Sequence, residues 1–215
     1  MELYIIRHGD PDYAHDTLTE LGWKEAEALV PRILRINPTD IYASPLGRAQ
    51  DTARPSCKAL GMEFSIESWM AESMDYMKHC ALNDASQLDS GYTVDLVNGA
   101  QLVKDIAPER TGTIEDMIRN SDEFLARHGY VREGLRYRAT EPSDRRICCF
   151  CHGGFGSAWI AHLLGMFPVF NWYHFQIHTT SVTHVHFRAD ESGYAVPGVS
   201  YIGDVSHLWE MRMKA

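Results

Sequence analysis

The sequence predicts an α/β protein, a three-layer α/β/α sandwich around a mostly parallel sheet. Short apolar runs that suit buried strands alternate with stretches of helical periodicity along most of the chain. Its 215 residues are enough for one sizeable hydrophobic core. We therefore expect a single domain over residues 1–215, with a mostly helical insertion at about residues 81–138, where the periodicity is less clear.

The first predicted strand is an apolar run at residues 3–6 that leads into Arg7, His8 and Gly9. The glycine marks a turn, so the two polar side chains lie where the strand leaves the sheet. In open α/β sheets this carboxyl end is where ligands bind. A guanidinium suits phosphate or carboxylate, and an imidazole can act as a nucleophile or proton carrier near neutral pH.

The remaining elements are predicted from capping residues, helix breakers and short apolar runs. Thr19 is the expected N-cap of the first helix, and Ser44, followed by Pro45 in the first turn, is the expected cap of the second. Helices are predicted at about residues 17–35, 44–59, 113–128 and 155–164, and further strands at 40–44, 64–66, 147–151, 181–187 and 194–202.

The composition excludes several classes of function. A formal net charge of −9 disfavours binding to nucleic acid, which usually requires a basic face. No apolar run approaches the roughly 18 residues that cross a bilayer, so no membrane contact is expected. Five cysteines, an odd number, and a start without a basic and then apolar leader favour a reduced, cytoplasmic protein. We expect no cofactor and no metal, because neither a Walker-type glycine-rich loop nor a His/Cys cluster with ligand spacing occurs.

Two strands of the predicted sheet end alike, because His8 and His152 each follow an apolar strand and precede a glycine. Parallel strands of one sheet bring both histidines to the same edge, and the helix after another strand brings Arg48 there. With Arg7 they would surround one cavity, together with the amide groups of the helix that begins after Gly153. A helix N-terminus preceded by glycines binds anions. The set suits a compact dianion, which means a phosphoryl group.

These motifs make the chain resemble the histidine phosphatase superfamily, whose fold is called phosphoglycerate mutase-like. The matching residues occur in the family's order from residue 3 to residue 208, so the resemblance covers the whole chain. They are Arg7-His8-Gly9, Leu18-Thr19 with Gly22, Ser44-Pro45-Leu46 with Arg48-Ala49 and Thr52-Ala53, His152-Gly153-Gly154, and Gly203-Asp204-Val205-Ser206-His207-Leu208.

The resemblance implies a mechanism. His8 would attack phosphorus and become phosphorylated, while Arg7, Arg48 and His152 would bind the phosphoryl oxygens and stabilise the charge that develops on them. Gly153 is expected to bind the substrate together with these three residues. A carboxylic acid would protonate the leaving alcohol and then activate the water that hydrolyses the phosphohistidine.

That acid usually follows the third strand in this family, and here the spacing favours Glu72 over Glu67. Asp10 and Asp75 are further alternatives. Donation of a proton near pH 7 needs a raised pKa, which apolar neighbours such as Trp69 could provide.

Two departures from the family pattern favour a hydrolase. Pro11 stands where many relatives have threonine, and Ala14 stands where mutases commonly have asparagine. The chain is also shorter than typical cofactor-dependent mutases. The expected activity is a metal-independent, acid-phosphatase-like hydrolysis of a small phosphorylated metabolite. A phosphoglycerate-mutase-type phosphotransferase and a catalytically silent phosphate-binding protein remain as alternatives.

The aromatic cluster at residues 167–175 is expected to pack into the fold. An exposed cluster would instead indicate a dimer interface or a contact with the apolar part of a substrate, so a homodimer stays open as an alternative.

Overall fold

The computed structural model describes residues 1–72, 111–166 and 175–209. Four α-helices are formed in these ranges: α1 (Glu20–Ile36), α2 (Gly47–Leu60), α3 (Thr111–Arg127) and α4 (Gly153–Leu163). The strands are β1 (Glu2–Arg7), β2 (Pro11–Asp12), β3 (Thr17–Leu18), β4 (Asp40–Ala43), β5 (Ser65–Ile66), β6 (Tyr130–Glu133), β7 (Arg136–Ala139), β8 (Arg146–Cys151), β9 (Val182–His186), β10 (Tyr194–Ala195) and β11 (Gly198–Asp204).

The central sheet has six strands in the order β11-β9-β1-β8-β4-β5. Strands β1, β8, β4 and β5 run parallel, whereas β9 and β11 are antiparallel at one edge. In the register of β1 and β8, Arg7 lies opposite Cys151, so the residues that follow, His8 and His152, leave the sheet side by side. The predicted α/β sandwich around a mostly parallel sheet is confirmed.

Alternate residues of β8 show how the three layers form, because successive side chains of a strand point to opposite faces. Cys148 and Phe150 pack with α1 and α2 on one face. Ile147, Cys149 and Cys151 pack on the other face with α3 and α4, where Trp159 is fully buried. Residues 147–151 of β8 are all apolar and buried, as expected for a strand covered on both sides.

Capping residues set the ends of α1 as predicted. The Thr19 side chain accepts a hydrogen bond from the Gly22 amide at 3.1 Å, which confirms it as the N-cap. At the other end Asn37 adopts a left-handed conformation with φ of 50°. The two residues before Thr19, which were predicted to open the helix, instead form β3 and pair with β2 in a small hairpin directly after His8.

The second helix begins later than predicted. Helix α2 starts at Gly47 with Leu46 at the N-cap position, and no side chain caps it. The prediction of Ser44 as its cap is wrong. The Ser44 hydroxyl lies in the interior and turns towards His152.

The region predicted as an insertion contains a hairpin besides its helix. Helix α3 corresponds to the predicted helix at 113–128, but β6 and β7 follow it and form an antiparallel sheet with β10. A turn at Gly134, with φ of 68°, joins the two strands. The predicted extended run at 194–202 is accordingly divided between two sheets. Residues 81–110 of the predicted insertion and 167–174 of the aromatic cluster lie outside the described residues.

None of the described helices combines the length and the apolar character needed to cross a bilayer.

Candidate active site

The end of β1 presents a buried histidine whose proton has a defined position. His8 is 2% exposed, and its Nδ1 lies 2.7 Å from the carbonyl oxygen of Gly9. A carbonyl only accepts, so Nδ1 carries the proton and Nε2 of the neutral ring keeps its lone pair. Burial, together with the charges of Arg7 and Arg48, lowers the pKa of His8 to about 4. At neutral pH the ring is uncharged, which is the state a nucleophile needs.

Arg7 lies beside His8 with one edge of its guanidinium anchored. Its Nη1 donates to the carbonyl of Ile177 at 2.6 Å. Its Nε is buried and has no hydrogen-bond partner among the residues that the structure describes. A Cβ atom at position 153 would lie 3.3 Å from both Cζ and Nε of Arg7, so Gly153 permits the close approach of the guanidinium.

Arg48, in the first turn of α2, is held from the other side. Its Nη1 lies 2.6 Å from Oδ1 of Asp16, and Oδ2 of Asp16 accepts the Gly47 amide at 2.7 Å. The Nε of Arg48 is buried and, within the described ranges, has no hydrogen-bond partner. Two guanidinium edges near His8 therefore remain available for an anion.

Thr52 links the loop after His8 to α2. Its hydroxyl accepts the Gly9 amide at 2.9 Å and donates to the carbonyl of Arg48 at 2.7 Å. The threonine is fully buried. Because both bonds involve backbone groups next to site residues, Thr52 fixes the position of Arg48 relative to His8.

The end of β8 presents the second histidine. His152 is fully buried at the N-cap position of α4, and its ring centroid lies 5.2 Å from that of His8. Its Nε2 is 2.7 Å from Oγ of Ser44. Burial, then the neighbouring His8, Arg48 and Arg7, lower the pKa of His152 well below its usual value. This ring is also neutral at pH 7.

Ser44 shares a hydrogen bond with His152. The Ser44 oxygen accepts the Leu46 amide at 3.2 Å and lies 2.7 Å from Nε2 of His152, and either partner can supply the proton of that contact. When the Ser44 hydroxyl donates, Nε2 accepts and the His152 proton resides on Nδ1. Nδ1 is buried and has no partner among the described residues, so it can donate to an oxygen of a ligand.

Glu72 lies at the N-terminus of α4, where its carboxylate accepts two backbone amides. Oε2 is 3.1 Å from the Gly154 nitrogen and Oε1 is 2.9 Å from the Phe155 nitrogen. Burial raises the pKa of Glu72, although both amides and the charges of Arg48 and Arg7 oppose the rise. This result corrects one expectation, because these helix amides bind Glu72, whereas the sequence had assigned them to a phosphoryl group.

The other candidate acids are engaged elsewhere. Glu67 accepts from the indole of Trp69 and from Arg127, each at 2.8 Å. Asp10 accepts the Thr19 hydroxyl at 2.6 Å. Asp75 lies outside the described residues. Of the described carboxylates after β5, Glu72 is the one whose pKa is raised, and it bonds to the backbone of α4 just after His152.

A cavity of about 350 Å³ lies next to the site residues and is lined by Arg7 and Gly153. Its other described walls come from Ser157 and from the segment before β9 that contains Phe175 and Gln176. The volume suits a small ligand group rather than a macromolecule.

In the ranges 1–72, 111–166 and 175–209, no group of three or more His, Cys, Asp or Glu residues could hold a metal ion. On β9, His184 stacks on Tyr4 with the ring centroids 4.5 Å apart and hydrogen-bonds to Glu2.

The structure thus brings together Arg7, His8, Arg48, His152, Gly153 and Glu72. Sequence reasoning missed Asp16, Thr52 as a link and the role of Ser44. Thr52 and Ser44 stand inside quoted motifs, which was the available signal. Asp16 lies in a polar loop and carried no signal that separated it from Asp10 and Asp12.

Comparison with known proteins identifies the family. A sequence model described as the histidine phosphatase superfamily (branch 1) matches residues 3–196. The chain belongs to this superfamily. A probable phosphoglycerate mutase GpmB from Enterobacter sp. (strain 638) is 24% identical over 220 residues, which cover 97% of this chain and 95% of the relative.

Two solved structures share the histidine phosphatase fold. A mycobacterial glucosyl-3-phosphoglycerate phosphatase superposes with a TM-score of 0.63 at 23% identity, covering 94% of this chain and 98% of the other. A phosphoserine phosphatase from Entamoeba histolytica, in complex with 3-phosphoglyceric acid, superposes with a TM-score of 0.57 at 22% identity, covering 96% and 98%. At this level of identity the likeness concerns the fold.

Proposed function

We propose that the protein is a phosphomonoesterase that hydrolyses a small phosphorylated metabolite through a phosphohistidine on His8, without a metal ion. One observation carries the proposal. The proton of His8 is held on Nδ1 by the Gly9 carbonyl, which leaves the Nε2 lone pair available, and two guanidinium groups lie close to the ring with Nε atoms that no described residue bonds.

In the first step Nε2 of His8 attacks phosphorus and the bond between phosphorus and the ester oxygen breaks. The Nε edges of Arg7 and Arg48 and the Nδ1 proton of His152 bind the phosphoryl oxygens, where negative charge is greatest in the transition state. Glu72, in its protonated form, transfers its proton to the leaving alkoxide, so that a neutral alcohol departs.

In the second step the same carboxylate reverses its role. Ionised Glu72 takes a proton from water, the hydroxide attacks phosphorus, and the bond to Nε2 breaks. Phosphate leaves, His8 recovers its lone pair and Glu72 is again protonated. The raised pKa of Glu72 supports this cycle, because an acid that must donate near neutral pH needs a value above the usual carboxyl range.

Phosphate release from p-nitrophenyl phosphate tests the proposal. Wild type is compared with His8→Ala, with and without EDTA, and quenched samples are analysed for an acid-labile phosphoryl group on His8. We expect turnover that survives EDTA and disappears in His8→Ala. Absence of both turnover and adduct in wild type would contradict the proposal and favour a phosphate-binding protein.

A phosphotransferase of the mutase type is the second candidate. The relative named as a probable phosphoglycerate mutase aligns over 97% of this chain and favours it. The mutase would show a trapped phosphohistidine with little net phosphate release, and it would require a bisphosphate to load His8. Conversion of 3-phosphoglycerate to its isomer, compared with phosphate release from the same sample, separates the two.

A further inference from the structure

Glu25 is a buried carboxylate of α1 that the proposed mechanism does not use. The residue is 7% exposed. Its Oε2 accepts the Asp10 amide at 2.9 Å, and its Oε1 lies 2.9 Å from the hydroxyl of Thr179, shortly before β9. Both of these partners are neutral groups. A glutamine side chain could make the same two contacts without the cost of a buried charge. The charge of Glu25 therefore needs an explanation of its own.

The Asp10 amide belongs to the peptide group that also binds the nucleophile. Gly9 and Asp10 share one peptide unit, whose carbonyl oxygen lies 2.7 Å from Nδ1 of His8. The peptide is trans, so its carbonyl and its N–H point in opposite directions. Glu25 therefore bonds one side of this planar group, and His8 bonds the other. One amide group connects the carboxylate to the imidazole ring.

The loop that contains this peptide is held firmly against α1. The Gly9 amide donates to the Thr52 hydroxyl at 2.9 Å. A Cβ atom at position 9 would lie 2.8 Å from the carbonyl oxygen of Gly22, which precedes Glu25 by about one turn of the helix. The backbone of the loop therefore contacts the backbone of α1, and the orientation of the peptide relative to the carboxylate is determined by the fold.

A negative charge on the N–H side polarises the peptide group. Hydrogen bonds in series strengthen one another, and a bond to an ionised acceptor is stronger than a bond between neutral groups. The Gly9 carbonyl thereby becomes a better acceptor for the Nδ1 proton of His8. Attack by Nε2 gives up a lone pair and leaves positive charge on the ring, while Nδ1 keeps its proton. The bond to Nδ1 is therefore stronger in the transition state than before it, which accelerates the step.

We propose that ionised Glu25 is a positioning residue that increases the nucleophilicity of His8 through the Gly9–Asp10 peptide group. The inference rests on the proposed function, because it concerns the first step of that mechanism. The described contacts of the Glu25 side chain involve neither of the two arginines that bind the phosphoryl group. Its charge should therefore change the rate of attack and not the affinity of the site for an anion.

Glu25→Gln tests the role of the charge. The glutamine retains an acceptor for the Asp10 amide and a partner for Thr179 but carries no charge. We expect the rate constant of phosphohistidine formation from p-nitrophenyl phosphate, measured by rapid quench, to fall by about tenfold. The calorimetric dissociation constant of inorganic phosphate should stay within about twofold of wild type. The NMR resonance of the His8 Nδ1 proton, assigned by its absence in His8→Ala, should move upfield because its hydrogen bond weakens.

Two control variants come from the same elements. Glu27→Gln removes an exposed carboxylate of α1, and all three measurements should stay close to wild type. Thr179→Val removes the other partner of Glu25 but retains the charge and the bond to Asp10. We expect a rate constant within about threefold of wild type. If Glu25 only fixed the segment before β9, Thr179→Val would lower the rate constant as much as Glu25→Gln does.

A wild-type rate constant in Glu25→Gln, or an equal loss in Thr179→Val, would overturn the inference. Partial unfolding of a variant would lower the amplitude of adduct formation and not its rate constant, so the two effects are separable. Failure of the proposed function is a different result, seen as wild type without any phosphohistidine. The coupling of Glu25 to His8 is then decided by the Nδ1 proton resonance, and an unshifted resonance in Glu25→Gln would overturn it.

Discussion

The ends of β1 and β8 have the same local sequence pattern, a histidine followed by a glycine, yet the two rings are bound by different groups through different nitrogen atoms. His8 has Nδ1 against a carbonyl, so its Nε2 is an acceptor. His152 has Nε2 against the Ser44 hydroxyl, and when that hydroxyl donates, Nδ1 carries the ring proton and is a donor. Both rings are buried and neutral at pH 7. The difference in partner makes one histidine suited to attack phosphorus and the other to bind a phosphoryl oxygen.

Substitution of the two histidines should give the largest effect and separates their roles. His8→Ala removes the nucleophile, so kcat for p-nitrophenyl phosphate should fall by at least about 10⁴-fold, with no phosphohistidine. His152→Ala removes one donor to the phosphoryl group, so kcat should fall by about 10²- to 10³-fold while the adduct still forms. Rapid-quench analysis measures both. His15→Ala, an exposed residue of the adjacent loop, is the control. An adduct in His8→Ala would contradict the assignment.

Glu72 should show the next largest effect, and the effect should depend on the leaving group. Glu72→Gln cannot donate a proton, so kcat for an alkyl phosphate should fall by about 10²- to 10⁴-fold. With p-nitrophenyl phosphate the first step needs little acid catalysis, but hydrolysis of the adduct still needs the base. A burst of nitrophenol close to one equivalent, followed by slow release, is therefore expected in stopped-flow experiments. Glu67→Gln, which loses contacts to Trp69 and Arg127, should retain the wild-type dependence on the leaving group.

The cluster of site residues was predictable because strand ends are local features and parallel strands share an edge. The register that places Arg7 opposite Cys151 brings His8 beside His152, as expected from two apolar runs alone. The partners of these residues were not predictable in the same way. Ser44 before Pro45 matches a helix cap, and only the tertiary contact across 108 residues shows its bond to His152. The hairpin β6–β7 was missed because its strands carry few apolar residues and the turn depends on one glycine at position 134.

The neutral state of His8 should appear as a loss of stability at low pH. Its pKa falls from 6.5 to about 4 on folding, so below pH 6.5 the unfolded chain binds a proton that the folded chain does not. The free energy of unfolding should therefore decrease as pH falls from 6.5 towards 4, and His8 contributes up to about 3 kcal/mol of that decrease.

His8→Asn retains a donor for the Gly9 carbonyl but does not titrate. Urea unfolding of both proteins at pH 7, 5.5 and 4.5 should show the steeper loss in wild type, and parallel pH curves would contradict the lowered pKa.

The bond between Ser44 and His152 should have the smallest effect of this series, and it tests the comparison most directly. In the proposed mechanism the Ser44 hydroxyl donates to Nε2 of His152. Ser44→Ala removes that donor, so the ring can place its own proton on Nε2, and Nδ1 then no longer donates. We expect kcat to fall about tenfold. Because the phosphohistidine should still form in rapid-quench samples, the loss would lie in phosphoryl binding and not in nucleophilic attack.

Ser56→Ala is the control and should leave kcat close to wild type. Ser56 is also fully buried, lies on α2 and has no hydrogen-bond partner among the described residues. Equal kcat values for Ser44→Ala and wild type would mean that His152 keeps its donor at Nδ1 without Ser44, and the two strand ends would then differ through position alone.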